Sequence, residues 1–420
     1  MKKLNAFLAA ACGFFVAGTL VSCDVDLNSN HDSHFTDDGY FIPDSTNQLV
    51  DEPGLARVKF YVEVSGSMNG FFRANKPTRF KKDVWEVCSY YSAISPDVTI
   101  LTNDGSQGAN LPLDQFQRSM NTGAFVSSAS TRVPVMIQNI LNDLNTDKGE
   151  AAVLISDMKY DPVGVAGASV LPTQYSSDIS RILGNFGKSV CLVGAVSDFL
   201  DRNGNVVTSR SPYYYFIMGN DKTVSTLRDG ISTLLSENND FVENIESGFS
   251  YGNPKYSFGI PNRCVQFEAE PTFEQYEEND GVDTCTIKLK VDLTPYRWLM
   301  TDKEYFSEAF SVKTRYGSEV RVGNIDIQVK NISNKKLERT AIASVDLKVF
   351  NMATDSEVLE WSLTLPDTVY TLFGEFCGSN NPNDSNKTYS LEDFIKGIFY
   401  GGLVNKSLKP NYILVSKNNS

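Results

Sequence analysis

Between Ala56 and about Glu237 short apolar runs alternate with segments whose apolar residues recur every three or four positions, and this alternation constrains the fold more than any other feature. "RVKFYVEV" (57–64) reads as a first strand. Phe80, Val84, Val87 or Cys88, and Tyr91 then mark one face of a helix. "DVTILTND" (97–104) is a second strand, and "VPVMIQNILNDL" (133–144) a helix with Val133, Met136, Ile137, Ile140 and Leu144 on one side. "AAVLISDM" (151–158) is almost continuously apolar, as a strand covered on both faces requires. A helix over 176–187, strands over 189–199 and 213–219, and a helix over 222–235 complete the pattern. Such alternation predicts right-handed crossovers and a mainly parallel, doubly wound α/β sheet of the Rossmann-like kind.

After a Gly/Pro/Asn-rich bridge (247–263) the period changes to two. In "CTIKLKVDL" (285–293), Ile287, Leu289, Val291 and Leu293 share one face, and Thr286, Lys288, Lys290 and Asp292 the other. Similar runs at 308–315, 320–331, 342–350 and 357–364 predict an antiparallel β-sandwich over 260–375. "YSLEDFIKGIFYGGLVN" (389–405) predicts an apolar helix stopping at Gly401-Gly402, within a C-terminal helix and tail spanning 388–420.

The N-terminus begins with Lys2 and Lys3, continues through an apolar stretch from Ala6 to Val21, and ends in Leu20-Val21-Ser22-Cys23. It resembles the bacterial lipoprotein lipobox. That likeness implies a signal peptide over 1–22, a lipidated Cys23 as first mature residue, and a chain anchored in the cell envelope rather than spanning a membrane. Asp24 accompanies inner-membrane retention in some bacteria and surface export in others, so the periplasmic face and the outer surface both stay open.

Residues 23–54 read as an acidic flexible tether: Asp24 to Glu52 holds eight acidic residues and no Lys or Arg. This stretch supplies most of the formal charge of −13. The near balance elsewhere argues against a nucleic-acid partner, which requires a basic stripe. His31 and His34 are the only histidines, and both lie in the tether. Catalysis by a Ser-His-Asp or Cys-His arrangement, or by a His-ligated zinc, is therefore excluded from the folded part. Setting aside Cys12 and Cys23 leaves five cysteines, an odd number that writes no complete disulfide framework. Cys88 and Cys191 read as buried small hydrophobes, and a Cys264–Cys285 bridge is one option.

Ligands of open α/β sheets gather where the carboxyl ends of strands converge. "EVSGSM" (63–68) and "SDM" (156–158) both lie at such ends. Two hydroxyls spaced i, i+2 on a Gly-containing loop, with a carboxylate from another strand, offer hard oxygen ligands suited to Mg²⁺ before Ca²⁺. Here the chain resembles the von Willebrand factor A (vWA) family and its metal-ion-dependent adhesion site. The family's signature is Asp-x-Ser-x-Ser after the first strand, a Thr before a later helix, and an Asp closing the following strand. Glu63, Ser65, Ser67, Thr131 and Asp157 occur in that order, over a resemblance covering 55–240. The departure is Glu63, where the family has Asp. Its extra methylene, about 1.5 Å, either carries the carboxylate into direct ligation or lets it fold away from the ion. Ser130 is an alternative to Thr131, and Asp161 and Asp198 are further candidates, each more simply a turn residue.

The resemblance implies a divalent cation (Mg²⁺, or Mn²⁺ or Ca²⁺) whose coordination is completed by a carboxylate from a protein partner. It implies adhesion rather than catalysis. Three other readings remain: a metal-free scaffold of the envelope, a metal-assisted hydrolase with Glu63 as general base, and glycan binding by the sandwich face.

Overall fold

The computed structural model describes residues 52–102, 107–125, 131–160, 171–248, 256–259, 264–265, 273–274, 284–293, 303–331, 339–350, 356–363, 373–378, 381, 383–403 and 410–416. In the first half, chain order is β1 (Arg57–Glu63), α1 (Arg79–Tyr90), β2 (Asp97–Leu101), β3 (Gln107–Pro112), α2 (Leu113–Thr122), α3 (Val133–Asn142), β4 (Glu150–Ser156), α4 (Leu171–Phe186), β5 (Ser189–Leu200), β6 (Val206–Gly219), α5 (Asp221–Glu237) and β7 (Phe241–Ser247).

These strands form one seven-stranded sheet in the order β3-β2-β1-β4-β6-β5-β7. Side-chain alternation splits its core into two layers. Val58, Phe60 and Val62 of β1 face α1, α2 and α5, where Phe80, Phe116 and Leu227 are buried. Tyr61 and, on β4, Leu154 face the opposite layer, with Ile137 of α3 and Ile179 of α4. Residues Ala151–Ile155 of β4 are buried on both faces, which accounts for the unbroken apolar run.

The sheet is mixed, which corrects the expectation of a mainly parallel one. β1 runs parallel to β2 and β4, but the remaining four pairings are antiparallel. β6 is inserted against the common direction between β4 and β5. The reason lies in the connection between β5 and β6, residues 201–205. Asp201 Oδ1 accepts from the Asn203 and Asn205 amides at 2.8 Å each, and Gly204 adopts φ 81°. So short a turn closes a hairpin, whereas a parallel crossover needs a dozen or more residues. The carboxyl ends of β1 and β4 still meet at one edge of the sheet, and the candidate site is built there.

The second half contains β8 (Tyr256–Gly259), β9 (Cys264–Val265), β10 (Phe273–Glu274), β11 (Thr284–Asp292), a short helix α6 (Lys303–Ala309), β12 (Phe310–Thr314), β13 (Glu319–Asn331), β14 (Arg339–Phe350), β15 (Ser356–Leu363), α7 (Leu391–Leu403) and β16 (Asn411–Ser416). Two antiparallel sheets, β13-β14-β11-β8 and β12-β15-β16, contribute Leu289, Leu347, Trp361 and Ile413 to one buried cluster. The period of two holds: Ile287, Leu289 and Val291 are buried while Lys288 and Lys290 are exposed.

The C-terminus departs from the expected helix and tail. Residues 411–416 form β16, paired with β15. Helix α7 packs on α4, with the Phe394 and Tyr175 rings 5.5 Å apart. Gly401 does not end α7 but lies within it, against Ser180 and Leu183 of α4. Cys88 and Cys191 are buried and free. The side chains of Cys264 and Cys285, and residues 1–51 with Cys23, His31 and His34, lie outside the described residues. Among the described residues no helix is long and apolar enough to cross a membrane.

Candidate metal centre

The end of β1 is shaped by its neighbour strands. The Val64 amide donates to the Leu101 carbonyl at 3.1 Å, tying the chain to β2 as it leaves the sheet. Ser65 stays extended (φ −82°, ψ 175°), and a 3₁₀ turn follows over Gly66–Gly70. Met68, fully buried, anchors the turn from below. Its amide donates to the Ser65 carbonyl at 3.2 Å. The result sets Ser65 Oγ and Ser67 Oγ 2.8 Å apart, at one point of the sheet edge.

The end of β4 supplies the opposing wall. Asp157 is 1% exposed, and its Oδ1 accepts from the Lys159 amide at 3.2 Å. Met158 turns the chain sharply through φ 56°, a conformation that side chains rarely adopt. Two distant residues hold that turn. Tyr175 of α4 donates its hydroxyl to the Met158 carbonyl at 3.1 Å, and Thr388 Oγ1 donates to the Asp157 carbonyl at 3.1 Å. Lys159 Nζ donates to the Asp384 carbonyl at 2.7 Å, so the segment before α7 is fastened to the same corner.

Glu63 joins these walls. It is fully buried, its Oε1 accepts from Thr131 Oγ1 at 3.2 Å, and its Oε2 accepts from Ser156 Oγ. The longer arm therefore turns toward β4 and the start of α3. Burial pushes the Glu63 carboxyl up to about 7, the nearby Asp157 charge adds to the rise, and the hydroxyls of Ser156, Ser65 and Thr131 oppose it. The dry corner and the neighbouring Asp157 thus both disfavour the charged form of Glu63. Asp157 Oδ2 is buried with no hydrogen-bond partner. Elsewhere the chain satisfies a buried carboxylate in full: Glu357 accepts from the amides of Arg315, Tyr316, Ser318 and Val358 and from the Ser318 hydroxyl.

Glu63, Ser65, Ser67, Thr131 and Asp157 are accordingly brought to one corner. Ser65, Thr131 and both carboxyl groups are buried, while Ser67 is half-buried beside exposed Gly66, so the 3₁₀ turn is the approach from solvent. Ser130 and Asp161 lie outside the described residues. Asp198 is elsewhere, 3.5 Å from Arg79 in an ion pair. Ser156, Tyr175 and Thr388 were not expected at the site. Only Ser156 carried a signal: in the parallel register it follows Ile155, the partner of Val62, and so sits beside Glu63.

The donor set is all oxygen, the chemistry of a hard divalent cation, and the orphaned Asp157 Oδ2 is where such an ion gains most. Among the described residues no three His, Cys, Asp or Glu side chains group as ligands, so hydroxyls and outside oxygens would have to complete any coordination. No protein-family model matches the chain, nor does any curated protein or solved structure.

Proposed function

We propose that this chain is a lipid-anchored protein of the bacterial cell envelope whose vWA-like domain captures a protein partner through a divalent cation. The observation carrying the reading is the buried, unpartnered Asp157 Oδ2 next to Glu63, a pair whose mutual repulsion a cation removes. Asp157 and Glu63 would hold Mg²⁺, or Mn²⁺ or Ca²⁺, with Ser65, Ser67 and Thr131 as neutral oxygen donors. The bound ion supplies an open position that favours an anionic oxygen, such as a carboxylate on the partner. Binding, not turnover, is the assigned role, and no residue is assigned a catalytic one. The two antiparallel sheets of the second half, read as a sandwich, act as spacer or second contact surface. Membrane attachment rests on Cys23 alone.

Isothermal titration of the full-length protein with Mg²⁺ and with Mn²⁺ tests the ion. Absence of heat at millimolar concentration removes it from the proposal. Fatty-acid labelling of cells expressing the protein and its Cys23→Ala variant tests the anchor, with label expected on the first and none on the second.

A second reading, a metal-free envelope scaffold, has one observation in its favour. The Thr131 and Ser156 hydroxyls already donate to both oxygens of the Glu63 carboxylate, so that carboxylate is satisfied without an ion. Under that reading Asp157→Ala and Ser65→Ala leave partner pulldowns unchanged.

A further inference from the structure

β13 is an edge strand of unusual length. It runs 13 residues, Glu319–Asn331, where strands of globular proteins are usually about five or six. β14 pairs with one side of it, and among the described residues no strand lies along the other. A row of amide and carbonyl groups left open in this way is a template for another chain. Native edges are commonly blunted by a proline or by a charge pointing inward. β13 has neither. Its inward positions, Val320, Val322, Ile325, Ile327 and Val329, are all β-branched and apolar, and they pair with the buried Val349, Leu347, Val345, Ala343 and Ala341 of β14. Their cover is incomplete: Ile325 is 7% exposed, but Val322 is 41% and Val329 42% exposed.

The order of these residues says what fits the edge. The register against β14 shifts between Val322 and Ile325, where a bulge adds one residue to β13. Counted across that bulge, the inward series is symmetric about Ile325. Laid antiparallel against a second copy of itself, with the two-fold axis at Ile325, the strand sets Val320 opposite Val329, Val322 opposite Ile327, and Ile325 opposite Ile325. On the outward face the same register sets Glu319 opposite Lys330, Arg321 opposite Gln328, and Asp326 opposite the Gly323-Asn324 bulge. Apolar positions therefore meet apolar ones, and no like charges face each other. A slip of one residue would turn each inward valine or isoleucine against an outward polar position. Both copies carry the bulge one step from the axis, so each bend is met by its two-fold equivalent.

We infer that the chain associates with a second copy of itself through β13, as a two-fold dimer in which two four-stranded sheets become one sheet of eight strands. The interface is isologous: one patch meets the same patch, so assembly closes at two chains. It covers the half-exposed Val322 and Val329 with the second copy's inward side chains and gives the open amides and carbonyls of β13 their partners. Neither a cation at Asp157 nor the lipid anchor takes part.

The test is sedimentation equilibrium of the full-length protein, in detergent matched to the solvent density so that only protein mass is read. The mass of two chains is expected at micromolar concentration, with EDTA as well as with Mg²⁺. Val322→Lys, at a position already half in water, should weaken the dimer at least about tenfold by placing an unpaired charge opposite Ile327 of the second copy. Register is read by cysteine pairing, which does not depend on that variant folding. Arg321→Cys and Gln328→Cys are made in separate chains, oxidised singly and as an equal mixture, and compared with the native chain. The mixture is expected to gain an interchain disulfide. Each variant alone is expected to gain none, because like positions then stand six strand steps apart, roughly 20 Å, beyond the reach of about 7 Å that a disulfide allows. A single-chain mass throughout the micromolar range overturns the inference, and so does a dimer seen only with Mg²⁺. A dimer unchanged by Val322→Lys also overturns it, as does a mixture that gains no more disulfide than its components, since association would then run through another surface or another register.

Discussion

Thr131 Oγ1 donates to Glu63 Oε1 at 3.2 Å, joining the start of α3 to the end of β1 across 68 positions of chain. That bond exists because Glu63 is one methylene longer than an aspartate, and the same reach delivers its other oxygen to Ser156. Glu63→Asp withdraws the carboxylate from both hydroxyls and leaves it nearer the corner with Ser65 and Asp157. Mn²⁺ affinity, measured by titration calorimetry, is expected to rise about tenfold, equivalent to about 1.4 kcal/mol. Weaker binding in the aspartate variant would mean that the longer arm is itself a ligand in the native protein.

Asp157→Asn separates the cost of placing Asp157 beside Glu63 from its use. The substitution removes the like charge beside Glu63 and gives the unpartnered position an amide that can donate to the Glu63 carboxylate. Without divalent ions, urea unfolding should therefore show a gain of about 1 kcal/mol over the native chain. With ions at a hundred times the native dissociation constant, the native chain should gain about 2.7 kcal/mol and the variant nothing. Destabilisation of the variant in EDTA would contradict the repulsive corner.

Which parts were legible in the sequence follows from the range of the interactions that decide them. Helices α1, α3 and α5 show one apolar stripe each, and β4 is apolar on both faces, so local pattern sufficed. Strand ends are where apolar runs stop, and that placed Ser65 and Asp157 at one edge. β3, "QGANLP", has no alternation and no β-branched residue, because an edge strand needs little burial. The antiparallel insertion of β6 turns on five residues, 201–205, whose hairpin geometry is not visible in the apolar pattern that marks strands over 189–199 and 213–219. The direction of the Glu63 side chain depends on Ser156 and Thr131, both brought there by tertiary packing.

Asp83 gives a pH dependence remote from the corner of Glu63 and Asp157. It is 1% exposed and accepts from Tyr213 OH at 2.6 Å and from Asn238 Nδ2 at 2.8 Å. Burial pushes its carboxyl from 3.8 up to about 7, opposed by the Tyr213 hydrogen bond and reinforced by Asp240. The folded chain thus keeps a proton that the unfolded chain releases. Its contribution to stability is full below about 3.8, falls as pH rises, and is lost above about 7. Asp83→Asn keeps the shape without the proton. The difference in unfolding free energy between native and variant should move in favour of the variant from pH 4 to 7 and then level off, roughly following the titration of one group. A difference that does not vary with pH would show that Asp83 is ionised throughout.

The contact between α4 and α7 decides whether the C-terminal helix belongs to the first sheet's core. Gly397 lies where α7 crosses α4, and a Cβ there would stand 2.7 Å from Ile179 Cβ and 2.8 Å from the Ser176 carbonyl oxygen. In a free helix, Gly→Ala stabilises by about 1 kcal/mol through lower backbone entropy. Here the obstacle is backbone and a β-branched stem, neither of which can swing aside, and overpacking of this kind costs roughly 1–3 kcal/mol. The two effects oppose each other, and the steric one is the larger. Gly397→Ala is therefore expected to lower stability by about 1–2 kcal/mol in urea unfolding. Because Tyr175, stacked on Phe394, also donates to the Met158 carbonyl, forcing the helices apart should loosen the Asp157 turn and weaken Mn²⁺ binding in the same variant. A variant more stable than the native chain would mean that α7 is not held against α4 in solution, and the turn would then have to be fixed by Thr388 and Lys159 alone.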